Sequence, residues 1–193
     1  MNWLRYWGCT SLLIWACALN SATAGFEGLS YELVSSNGDT HTYRVYATFN
    51  AASDELVALY GTATSPWSLS LTDTLYQSEF GGPLATSISA AGLGTIEGLA
   101  EDSWFTIGSA DDAGTSTIQS VGVTEAFASF EIGEGFNVNS AAGGMIFIIP
   151  GSSADATAGS DYKVLIAQFT TAGVIDMTLN MQWRPEGGIM VYQ

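Results

Sequence analysis

Residues 174–184 read Val-Ile-Asp-Met-Thr-Leu-Asn-Met-Gln-Trp-Arg, and their order decides the fold class. Ile175, Met177, Leu179, Met181 and Trp183 are apolar, while Asp176, Thr178, Asn180, Gln182 and Arg184 between them are polar. A period of two sends all five apolar side chains to one face of a strand, where a helix would scatter them around its circumference. Half-buried alternation of this kind belongs to antiparallel sheet.

Working outward, the same pattern recurs. Trp67, Leu69 and Leu71 alternate with Ser68, Ser70 and Thr72. Residues 29–46 form a hairpin around Asn37-Gly38, in which a three-residue loop of Ser36, Asn37 and Gly38 sets Leu29, Tyr31 and Leu33 against Val45, Tyr43 and His41. Strands are also expected at Leu56–Tyr60, Trp104–Ile107, Thr115–Val123, Ala126–Ile132, Met145–Ile149 and Tyr162–Thr170, with residues 174–184 as one closing strand. Short strands divided by turn signals, without an amphipathic helix, predict an all-β, antiparallel two-sheet sandwich of jelly-roll-like form. From Tyr76 to Glu101 the pattern dissolves into a glycine-punctuated loop, the kind of segment in which binding sites sit on a rigid sheet.

Residues 1–24 read as an export signal: Arg5 is the only charge, an apolar run spans Trp7–Leu19, and Ala22-Thr23-Ala24 is a small-x-small cleavage pattern. A single domain is then expected from Gly25 to Gln193, without a membrane span and located outside the cell. Cys17 offers a competing reading as a lipidated cysteine, against which stands the bulky Trp15 before it. Both cysteines, Cys9 and Cys17, precede the cleavage site, so the domain is expected to contain no disulfide. Its length is enough for a core that buries about 70% of the unfolded chain's surface without a covalent staple.

The chain has 19 acidic and 4 basic residues, for a net charge of −15. Loss of Arg5 with the leader makes that −16. Nucleic acid and anionic membranes are thereby disfavoured as partners, because both are bound by clustered Lys and Arg. One histidine, His41, and no mature cysteine leave little for a zinc site, and no G-x-S-x-G elbow occurs.

Three candidate chemistries follow. Calcium, which takes six to eight oxygens from carboxylates and carbonyls, would find ligands in the acidic turns at Asp111 and Asp112 and at Asp155 and Asp161. A sugar ring would stack on Trp104, flanked by Glu101 and Asp102, at a strand start. Glycosidic hydrolysis needs only two carboxylates about 5 to 10 Å apart, and Glu97, Glu101, Asp102, Glu125, Glu131 and Glu134 are the available acids. Nothing in their spacing selects a pair.

The segments Asp102-Ser103-Trp104-Phe105-Thr106-Ile107-Gly108, Thr42–Ala47, Phe80-Gly81-Gly82, Val164–Gln168 and Leu179–Trp183 carry a resemblance. Together they are similar to an uncharacterised β-rich module of secreted proteins from marine microbes, and the similarity covers most of the mature chain. The resemblance implies an extracellular, non-enzymatic part and assigns no site residue. The expectation is a structural or adhesive sandwich that acts alone, or by assembling with copies of itself or with other surface components. A carbohydrate-binding module, with or without calcium, comes second, and a carboxylate glycosidase or lyase third.

Overall fold

The structure is a computed structural model and describes residues 25–185, 188 and 190–192. Residues 1–24, read above as an export signal and containing Cys9 and Cys17, lie outside the described residues. Among the described residues, twelve strands carry the fold: β1 (Phe26–Asn37), β2 (Thr40–Phe49), β3 (Glu55–Gly61), β4 (Trp67–Leu71), β5 (Trp104–Phe105), β6 (Gln119–Val121), β7 (Phe136–Val138), β8 (Gly144–Phe147), β9 (Lys163–Thr171), β10 (Ile175–Thr178), β11 (Asn180–Arg184) and β12 (Val191–Tyr192). They pair antiparallel in three sheets, ordered β1-β2-β9-β5, β12-β11-β3-β8-β6 and β10-β4-β7. The chain is an all-β sandwich whose first sheet faces both others. Across the core, Phe49 of β2 meets Trp183 of β11 at 6.3 Å, and Phe105 of β5 meets Trp67 of β4 at 5.0 Å.

Phe105 is the centre of that core. Its ring packs on Trp67, Phe127, Phe130, Phe136 and Phe169, mostly edge to face, the geometry that aromatic quadrupoles favour.

Residues 174–184 keep their alternation, and Ile175, Met177, Leu179, Met181 and Trp183 all turn inward to one core. They form two strands instead of one. Residues 175–178 pair with β4 and residues 180–184 with β3, so the chain passes between sheets at Leu179. Asn180 fixes the crossing: its Nδ2 donates to the carbonyls of Tyr60 and Ser65 at 3.1 and 2.8 Å.

Other expectations are corrected. The first hairpin closes one residue later, at Gly38-Asp39, with Asn37 opposite Thr40 and Gly38 at φ 61°. A bulge between Leu33 and Ser35 takes up one residue, and Leu29, Tyr31 and Leu33 come to face Ala47, Val45 and Tyr43, two positions further along β2 than expected. The strand expected at 126–132 is a helix, α1 (Thr124–Phe130). Val123, Phe127 and Phe130 are spaced by four and three, which puts them on one helical face, and all three are buried. The strand expected over 115–123 is reduced to 119–121, because Thr115 and Ser116 bond to side chains of Ser109, Ser153 and Asp155 instead of a ladder.

Candidate functional site

The loop between β4 and β5 does not stand open. Two 3₁₀ turns, Ala85–Ser87 and Leu99–Glu101, fold it onto the outer face of the first sheet. There Ala85, Ile88, Leu99, Trp104 and Leu165 make a second, smaller core. The register explains the split. Trp104 pairs with Gln168 and Phe105 with Ala167, so adjacent residues of β5 point to opposite faces, Phe105 into the main core and Trp104 under the loop.

Trp104 is 1% exposed, so neither ring face is available to a sugar. The Arg44 guanidinium lies 5.9 Å from the ring centroid, and Arg44 Nε donates to Gln168 Oε1 at 3.1 Å. Gln168 Nε2 in turn donates to the carbonyls of Ala100 and Asp102 at 3.0 and 2.9 Å, pinning the end of the loop.

Asp102 is fully buried and accepts from the N–H groups of Ser78 and Gly82 at 2.7 and 3.2 Å. Burial pushes its carboxyl above the usual range, and the backbone donors oppose that. A Cβ on Gly81 would overlap this carboxylate, so the Phe80-Gly81-Gly82 turn needs its glycine to wrap the acid. Asp102 is a structural clasp. The proposed sugar platform of Trp104, Glu101 and Asp102 is therefore corrected: only Glu101 reaches an open surface.

That surface is a polar groove of about 490 Å³ at the hairpin end of the first sheet, lined by Glu97, Glu101, Tyr76, Asn37, Thr40 and Thr42 among others. Tyr76 is 42% exposed and is the aromatic group of the groove. Sequence reasoning passed over it because it falls where alternation ends. His41, near the same end, bonds through Nδ1 to Ser36 Oγ at 3.0 Å and is a partly buried structural residue.

Three of the four acids considered for calcium are engaged separately. Asp111 accepts from Ala113 N–H, Asp112 from Ala90 N–H, and Asp155 from Thr115 N–H and Ser109 Oγ. The Thr115 N–H holds the Asp155 carboxyl below its usual range, against the raising effect of burial and with help from the Ser109 and Thr115 hydroxyls. Asp161 is exposed in a 3₁₀ turn. Among the described residues, no group of three or more His, Cys, Asp and Glu side chains comes together.

Glu131, just after α1, is raised to about 7 by burial first and by the charge of Asp102 second. Among the described residues, its buried Oε1 has no hydrogen-bond partner.

Strand β1 is the most exposed apolar element. It forms the outer edge of the first sheet, and Leu29, Tyr31, Leu33 and Val34 are all open, Tyr31 at 74%. Beside it an apolar cleft of about 370 Å³ runs between the hairpin and β10, floored by Val45, Phe169, Ile175 and Met177. Among the described residues, no helix is long and apolar enough to cross a membrane.

Comparison with known proteins gives no match: no family model, no curated protein and no solved structure matches the chain.

Proposed function

We propose that the protein is an exported, non-enzymatic structural or adhesive component that assembles with copies of itself through β1. One observation carries this reading: a twelve-residue edge strand holds four large apolar side chains in solvent beside an apolar cleft. Such an edge presents an unpaired row of backbone donors and acceptors to a second strand. The bulges of β1 lie between Phe26 and Gly28 and between Leu33 and Ser35, so Gly28–Leu33 is the regular stretch for pairing. Glu32, the charge within that stretch, is neutralised by Lys163 at 2.8 Å.

At −16 per mature copy, repulsion opposes assembly, and salt or millimolar calcium screens it. Light scattering is therefore expected to give a mass that rises with protein concentration and with ionic strength. The double variant Tyr31→Lys with Leu33→Lys should stay monomeric at an unchanged melting temperature, since both side chains are exposed. A wild-type protein that remains monomeric throughout would sink the proposal.

The groove at Tyr76 favours polysaccharide binding as a second reading. An exposed aromatic ring beside two carboxylates and several hydroxyl and amide side chains offers both stacking and hydrogen bonding to a sugar. Retention on an insoluble polysaccharide, lost in Tyr76→Ala with melting unchanged, is the expected result. Equal retention of that variant would exclude the groove.

A further inference from the structure

Asp54 ends the turn between β2 and β3, with its N–H donating to Ala51 O at 3.2 Å and its carbonyl accepting from Ala158 N–H at 2.8 Å. Its side chain is 0% exposed, and among the described residues neither carboxylate oxygen has a hydrogen-bond partner. A buried carboxylate in this state bears its desolvation penalty uncompensated. Burial accordingly pushes the Asp54 carboxyl above its usual range, and the one group opposing that shift is the Gly25 backbone N–H. That N–H spends its hydrogen bond on Asn50 Oδ1 at 2.9 Å, so it acts on Asp54 as a nearby dipole.

Gly25 is held on this turn from both sides, because Asn50 N–H also donates to Gly25 O at 3.1 Å. No other charge enters the balance at Asp54. The adjacent Glu55 is taken by Arg184 at 2.6 Å and by Gly151 N–H, and Lys163 is taken by Glu32. Gly25 is also the first residue after the Ala22-Thr23-Ala24 pattern.

We propose that cleavage of the Ala24–Gly25 bond by an export peptidase supplies the missing partner of Asp54, the new α-ammonium group of Gly25 pairing with the buried carboxylate. Water is added across the peptide bond. Ala24 leaves as a carboxylate, and the Gly25 nitrogen, no longer an amide, takes up a proton. A neutral dipole beside the acid becomes a full positive charge, and the start of β1 is locked to the turn before β3. Processing is then a folding step of the mature domain as well as removal of an address. The inference shares with the proposed function only the export reading, and it is independent of assembly.

The test compares purified chain beginning at Gly25 with the same chain preceded by Ala22-Thr23-Ala24, each also as Asp54→Asn. At pH 6.5 the chain beginning at Gly25 should melt about 5 °C or more above the extended one, and Asp54→Asn should erase the difference. The amine should titrate above the ordinary α-amino value of about 7.7. A raised amine pKa gives stability that is complete below the unfolded value and lost as pH rises through the folded one, so the gap should close in alkaline solution. Equal melting of the two wild-type forms overturns the ion pair, as does an amine that titrates at its ordinary value, a reading that survives even if Asp54→Asn fails to fold. Terminal sequencing of the exported protein that finds a start other than Gly25 overturns the processing step. Neither result touches the light-scattering test of assembly.

Discussion

Replacing Trp104 with alanine should destabilise the protein by about 4 kcal/mol, the cost of emptying a large aromatic site in a core that cannot fully collapse. For a domain of this length that lowers the melting temperature by roughly 8 to 16 °C. The loss is expected to be structural in kind. Trp104 is the largest side chain of the small core beneath residues 81–101, and its removal deprives Ile88, Leu99 and Leu165 of their common neighbour. It also removes the ring on which Arg44 rests. Amide hydrogen exchange should therefore rise first in residues 81–101, before the main core around Phe105 opens. A Trp104→Ala protein that melts like the wild type would mean that the loop does not depend on this residue.

Glu131→Gln should make the protein more stable in neutral and alkaline solution and leave it nearly unchanged in acid. The folded-state pKa of Glu131, about 7, lies above the ordinary 4.5, so the folded protein holds this proton more tightly than the unfolded chain does. For a raised acid, the favourable contribution is complete below the unfolded value and is lost as pH rises through the folded one. The window is therefore pH 4.5 to 7. The full shift corresponds to about 3 kcal/mol, and solvent access around a partly buried group reduces the expected gain to about 2 kcal/mol. Melting curves of wild type and variant should coincide near pH 4 and separate by roughly 4 to 8 °C at pH 8. Curves that stay parallel across that range would contradict a buried, charge-averse Glu131. Asp102 takes part from a distance, since its charge adds to the penalty.

Much of the fold was legible in the chain because two-residue alternation is a direct readout of which side faces the core. Ile175 to Trp183 turn inward as their spacing requires. What alternation does not carry is partner choice, and the change of sheet at Leu179 leaves no mark in the pattern. The helix at 124–130 was hidden because Ala126, Phe127 and Phe130 are as compatible with a short strand as with about two turns of helix. Only the spacing of Val123, Phe127 and Phe130 favours the latter. At the candidate site the limit was different. Acid-flanked Trp104 looks like a binding residue when its surroundings are unknown, yet β5 is two residues long, and its alternation assigns Trp104 to a face that a loop from residues 81–101 covers. The exposed edge of β1 was equally out of reach, since the sequence does not say which strand comes last in a sheet.

Each of the three sheets draws a member from residues 163–184: β9 in the first, β11 in the second and β10 in the third. The first sheet is the clearest case, since β9 lies between β2 and β5. An emerging polypeptide thus has no complete layer to settle into until its final stretch has been made, and contacts so distant along the chain close slowly.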